Sequence, residues 1–246
     1  MKIKLINPNT TQSMTRKMLA CARQVAAPGT ELLAASPAMG PVSIESHYDE
    51  ALAVPGLLDE IASGQAQGCD AYLIACFGDP GLDAARELAR GPVIGIAEAA
   101  MHCASLLGTG FTVVTTLGRT CGQAWHLARR YGMARHCRNV RACELPVLAL
   151  EEAGSDALRL IEAECQRALR EDGSDVIVLG CAGMADLCAH LSRTLGVPVV
   201  EGVSAGVKLA ESLVALGLHT SKHGDYAAPP PKPYDGELAR FSLQGR

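Results

Sequence analysis

Two cysteines stand where a chain can do proton chemistry. Leu73-Ile74-Ala75-Cys76-Phe77-Gly78-Asp79-Pro80-Gly81 reads as an apolar strand that breaks into a Gly/Pro turn ahead of a helical run, Leu82 to Ala89. Val178-Leu179-Gly180-Cys181-Ala182-Gly183-Met184-Ala185 repeats that layout ahead of another helix. A thiol at a helix amino terminus feels the positive end of the dipole and free N–H groups, which lower its pKa and favour thiolate. The same N–H groups hold an oxyanion, so each turn offers a base and an electrophilic clamp. Either cysteine alone reads more simply as a small buried hydrophobe. Their recurrence at equivalent places is what points to a working pair.

The other eight cysteines read as packing residues. Cys21 and Cys165 fall mid-helix, Cys103 follows a helical Ala100-Met101-His102, Cys69 and Cys137 precede strands, and Cys143 lies in one. Cys121 and Cys188 sit near the candidate loops, close enough to line a pocket. There is no Cys-x-x-Cys, and the spacings of Cys181 with Cys188 and of Cys188 with His190 do not resemble a zinc knuckle. None of the seven histidines follows a strand end, which favours surface or helix-packing roles. Gly108-Thr109-Gly110 lacks a third glycine and precedes a strand, so no nucleotide or nicotinamide cofactor is indicated.

Polar turns surround the cysteines. In Asn7-Pro8-Asn9-Thr10-Thr11, Thr10 or Thr11 is expected to cap the next helix and Asn9 to touch a ligand. The Gly40-Pro41-Val42-Ser43-Ile44-Glu45-Ser46 turn offers Ser43 and Ile44 as a pocket wall, and Thr115 with Thr116 fills the equivalent place further on. Phe77, Gly78, Ala182 and Gly183, from the cysteine turns, complete the expected substrate contacts.

The elements that must position these residues are short β-rich runs alternating with longer helical ones, the pattern of a parallel sheet covered by helices. Strands are predicted at Lys2 to Ile6, Glu31 to Ser36, Ala71 to Ala75, Pro92 to Ile96, Phe111 to Thr115, Val140 to Glu144, Val176 to Gly180 and Val197 to Glu201. From Asn9 to Cys76 is 67 positions and from Thr116 to Cys181 is 65, so two four-stranded units share one layout. The expected fold is α/β: two similar parallel-sheet domains related by a pseudo-twofold axis, with the site between them. Residues 1–98 form the first half, completed by 205–246, and residues 99–204 the second. Ligands gather at the carboxyl ends of such strands, where all four turns lie. After Gly217, Pro229, Pro230, Pro231 and Pro233 rule out a core helix, so 219–246 is either a mobile tail or an arm around a neighbouring subunit.

Composition narrows the partners. The chain has 246 residues, 48% hydrophobic but only 4% aromatic, with a net charge of -4, which leaves no electrostatic footprint for nucleic acid or an anionic membrane. No run approaches the roughly 18 to 20 apolar residues of a membrane span, and the apolar start is too short for a signal peptide. Ten cysteines without an export signal fit a reducing cytoplasm.

At Lys2-Ile3-Lys4-Leu5-Ile6-Asn7-Pro8-Asn9-Thr10-Thr11, at Gly40 to Ser46 and at both cysteine turns, the sequence resembles the aspartate/glutamate racemase superfamily, and within it the hydantoin racemase branch that includes allantoin racemases. The resemblance covers nearly the whole chain. It implies two catalytic cysteines, Cys76 and Cys181, no metal or organic cofactor, a hydantoin ring as substrate, a homo-oligomer with a hexamer as one arrangement, and a place in purine catabolism. Amino-acid racemases of the wider superfamily follow their cysteines with Asn-Thr or Thr-His. Here Phe77-Gly78 and Ala182-Gly183 stand instead, which argues for a neutral ring over a free amino acid. Aryl or alkyl hydantoins, a decarboxylase or isomerase of the same superfamily, and a non-catalytic binding protein are the alternatives.

Overall fold

The computed structural model describes residues 1–152 and 156–243. Among the described residues eight strands form two separate sheets: β1 (Lys2–Ile6), β2 (Glu31–Ala35), β3 (Ala71–Ile74) and β4 (Val93–Gly95) in one, β5 (Phe111–Thr115), β6 (Cys137–Ala142), β7 (Val176–Leu179) and β8 (Val199–Glu201) in the other. β3, β5 and β7 are buried along their whole length, as unbroken apolar strands between two helical layers must be.

The orders are β2-β1-β3-β4 and β6-β5-β7-β8, with every pair parallel. In each sheet the chain leaves the first strand to one side and returns to the third on the other. The loops after β1 and β3, and after β5 and β7, therefore part at a topological switch point, where an open parallel sheet has its crevice.

Helices α1 (Gln12–Val25), α2 (His47–Ala66), α3 (Leu82–Leu88), α4 (Ile96–Ser105), α5 (Cys121–Arg130), α6 (Ala157–Glu171), α7 (Cys188–Leu195) and α8 (Gly202–Ala215) complete the layers. Two of them are exchanged. α4 follows the first sheet but packs on β7 and β8, whereas α8 follows the second and packs on β3 and β4, and the two helices lie against each other. Glu211 of α8 fixes the exchange by accepting from Ala27 N and Thr30 Oγ1, both at 2.7 Å, in the loop before β2. Gly202 permits it, because a Cβ there would run into the Ile96 carbonyl and side chain where the two helices begin. Leu5, Leu73, Met101, Phe111, Val178, Val203 and Val207 consequently belong to one core that spans both sheets.

Some local expectations need correction. β6 starts at Cys137, not at Val140, because Cys137 pairs with Phe111 across a bulge. It ends at Ala142 because Glu144 turns to φ +53 and accepts from Gly118 N, so Cys143 lies just outside the strand. Thr11 caps α1 without a side-chain bond; its hydroxyl donates to Val42 O at 2.6 Å, tying two site loops together. α2 is the better-capped helix, with Ser46 Oγ accepting from Asp49 N while Asp49 accepts from Ser46 Oγ.

Residues 219–243 of the carboxyl-terminal segment make several contacts with the first half of their own chain. Lys222 Nζ donates to Arg86 O and Glu87 O at 2.6 and 2.9 Å, Tyr226 OH to Asp83 at 3.1 Å, and Arg240 pairs with Asp59 at 2.8 Å. Residues 244–246 of that segment lie outside the described residues. Among the described residues no helix is long and apolar enough to cross a membrane.

Candidate active site

Cys76 follows β3 in a turn held from outside. Asp79 adopts φ +45 and its carboxylate accepts from Ala97 N at 3.1 Å, Glu98 N at 3.0 Å and Tyr131 OH at 2.7 Å. The turn is thereby pinned to the first turn of α4. Glu201 does the same for α8, accepting from Val203 N and Ser204 N at 2.7 Å, so both exchanged helices start on a buried carboxylate. Burial pushes the Asp79 carboxyl up to about 7 against its three donors. Asp79→Ala is expected to leave those donors without a partner and to cost about 3 kcal/mol of folding stability. An unchanged urea midpoint would show that the anchor is idle.

Cys181 follows β7 in extended backbone, with Thr115 Oγ1 donating to the preceding Gly180 O at 3.1 Å. Neither thiol sits at an α-helix amino terminus. A 3-10 turn, Ala182–Leu187, separates Cys181 from α7, and α3 does not begin until Leu82. The expected lowering of the thiol pKa fails for that reason and for a larger one, desolvation. Burial drives Cys76 far above the ordinary thiol range; the Gly78 N–H opposes this, while Glu50 and Asp79 add to it. Burial pushes Cys181 up to about 11, opposed by the Gly183 N–H and by Lys17. The amides of the two turns thus serve the sulfurs.

Both cysteines line one cavity of about 50 Å³ at the switch points of the two sheets. Seven of the nine expected contacts line it with them: Asn9, Ile44, Phe77, Gly78, Thr115, Thr116 and Ala182. Ser43 does not, since the bend held by Thr10 and Thr11 presents Ile44 instead, and Gly183 acts through its N–H on Cys181. Asn9 Oδ1 accepts from Asn7 Nδ2 and Thr11 N, which leaves its own NH₂ with only the Met14 sulfur, at 3.6 Å. Cys121 and Cys188 are not in the lining, and Cys188 Sγ donates to Val199 O at 3.1 Å.

The sequence reading missed Met14, Met18, Glu50, Gln123, Ala124, Val147 and Thr120, and also Ala75 and Gly180, which immediately precede the two cysteines. The first five stand one or two turns into the helix that follows a site loop, a signal legible as the i, i+4 spacing of Met14 and Met18. Glu50, Gly78 and Gln123 also border an outer vestibule of about 530 Å³ with His47, His126 and Arg130 on its wall. Those two histidines, expected on surfaces or in helix packing, thus stand at the approach to the cysteines.

Residues 3–210 match a family model described as Asp/Glu/Hydantoin racemase. The chain belongs to that family. Within it the chain falls in the hydantoin racemase branch and is an isomerase. It is 53% identical over 229 residues to the hydantoin racemase of Rhizobium meliloti, covering 93% of this chain and 95% of that one. Among solved structures, the allantoin racemase from Klebsiella pneumoniae superposes with a TM-score of 0.96 at 56% identity, covering 98% of each chain. The allantoin racemase AllR from Pseudomonas fluorescens gives 0.92 at 42%, covering 96% of this chain and 100% of that one. In this racemase, then, the cavity between Cys76 and Cys181 is the place to look for the chemistry.

Proposed function

We propose that the chain racemises 5-substituted hydantoins, allantoin foremost, by proton transfer between Cys76 and Cys181 across C5, as a cytoplasmic homo-oligomer without a cofactor. The observation that carries this reading is the approach of one thiol from each half to a single cavity. The C5 proton is acid because its loss gives an enolate with the C4 carbonyl. One cysteine, as thiolate, takes that proton from one face; the other, as thiol, delivers its own to the opposite face, so the enzyme ends with the proton on the other sulfur. Lys17 favours the thiolate of Cys181, while Glu50 and Asp79 disfavour that of Cys76. In the singly protonated, active form of the pair the proton therefore belongs on Cys76. The Asn9 NH₂, without a strong acceptor, is placed to meet an enolate oxygen.

Allantoin is favoured by the shape of the site. By the ~10–15 Å³ that one water needs, the inner cavity holds about four waters, room for a small ring. A C5 substituent must reach the vestibule, whose mixed wall carries Gln123, His126 and Arg130 beside Val54, Pro80 and Leu127, and a ureido group can pair with the polar groups that a benzyl group leaves unmatched. Polarimetry on pure (S)-allantoin and on one enantiomer of 5-benzylhydantoin tests both levels. Rotation is expected to decay to zero for both, with kcat/KM about tenfold or more higher for allantoin. A higher value for the benzyl compound would move the assignment to aryl hydantoins, and no decay with either would end the racemase mechanism proposed here.

A further inference from the structure

One polar atom beside the thiols has no partner among the described residues. Glu50 stands in the first turn of α2, and its Oε1 is buried without a hydrogen bond, while Oε2 lies 3.5 Å from His47 Nδ1. The carboxyl lies against Gly78, two residues from Cys76, where any Cβ would overlap Oε1. It borders both the inner cavity and the vestibule. A desolvated carboxylate oxygen with no donor is unfavourable, and burial raises the Glu50 pKa accordingly. Among the described residues nothing bonds that oxygen. Ser46 and Asp49 already cap α2.

A carboxylate accepts hydrogen bonds and donates none, so the ligand edge it meets must carry a donor. Cyclic ureides present such an edge, in a hydantoin N3–H between two carbonyls and N1–H between a carbonyl and C5, whereas an enolate oxygen would be repelled. Resting on the hydantoin reading above, we propose that Glu50 is a substrate-binding residue whose buried oxygen accepts a ring N–H of the cyclic ureide, selecting rings with a free N–H and orienting C5 between the sulfurs. The contact is kept through turnover, because the ring N–H is not the proton transferred. The same placement beside Cys76 also helps keep the proton of the singly protonated pair on that thiol.

Calorimetric titration of hydantoin, 1-methylhydantoin and 3-methylhydantoin into the parent protein, Glu50→Gln and Glu50→Ala tests this. Hydantoin is expected to bind Glu50→Ala about tenfold to a hundredfold more weakly than parent, the range for a hydrogen bond to a charged group, with Glu50→Gln between them. One of the two methylated rings should bind the parent weakly and be indifferent to the loss of Glu50, and the other should behave as hydantoin does. Equal weakening of all three ligands would mean that Glu50 only shapes the site and would overturn the assignment, as would unchanged binding. C5 hydrogen exchange is followed alongside, with circular dichroism as the folding control. Exchange by the parent with binding untouched in Glu50→Ala would overturn the Glu50 contact alone, whereas a parent protein that neither binds nor exchanges hydantoin would overturn it together with the substrate reading.

Discussion

Replacing Cys76 or Cys181 with serine is expected to abolish racemisation while at least one variant still exchanges the C5 hydrogen of one enantiomer with deuterated water. Inversion needs a base on one face and an acid on the other, whereas exchange with retention needs only the group on the face that bears the hydrogen. A serine hydroxyl is too weak an acid to supply a base near neutral pH, so each variant loses one face, and the two should label opposite enantiomers. The loss should exceed about a thousandfold, since the missing proton transfer has no substitute within the cavity. Both sulfurs lie in the cavity wall and Ser is smaller than Cys, so the fold should persist, which circular dichroism checks. Proton NMR of each pure enantiomer in deuterated buffer reads the exchange. Racemisation at near-parent rate by either folded variant would sink the two-thiol mechanism.

The pH profile carries the second large effect. Cys181 must lose a proton before it acts as a base, and burial holds that thiol at about 11. At neutral pH only a small fraction is thiolate, and that fraction grows tenfold per pH unit until the pKa is reached. The specificity constant should therefore rise by about tenfold per unit between pH 7 and pH 10, roughly a thousandfold in all. The sign follows from the charge state: raising pH makes the base, and only at higher pH, where Cys76 also ionises, is the acid lost. Activity falls at both extremes, as expected for a coupled pair, but with the optimum displaced to alkaline pH. A flat profile from pH 6 to 9 would mean that the turn amides and Lys17 outweigh desolvation and that the thiolate exists beforehand. Substituting Lys17 by Met should lower activity at fixed pH, because it removes the cation that opposes burial of Cys181.

The sequence by itself determined the elements and the principal candidates. Continuous apolar runs between glycine turns report strands buried on both faces, and all eight were legible within a few residues of their ends. The nearly equal distances from a polar turn to a cysteine in each half, 67 and 65 positions, carried the duplicated layout, and with it the choice of Cys76 and Cys181 out of ten cysteines. Those features are local or periodic, so the chain displays them without being folded.

What only the tertiary structure decided depends on neighbours far apart in sequence. The exchange of α4 and α8 rests on where Gly202 meets Ile96 and where Glu211 meets Ala27 and Thr30. Glu50 and Gln123 became wall residues because the first turns of α2 and α5 converge on Gly78. The direction of the thiol shifts reversed for the same reason. A turn before a helix suggests a lowered pKa, but desolvation is set by everything that surrounds the sulfur, and here it outweighs the two amides and the lysine that favour the thiolate.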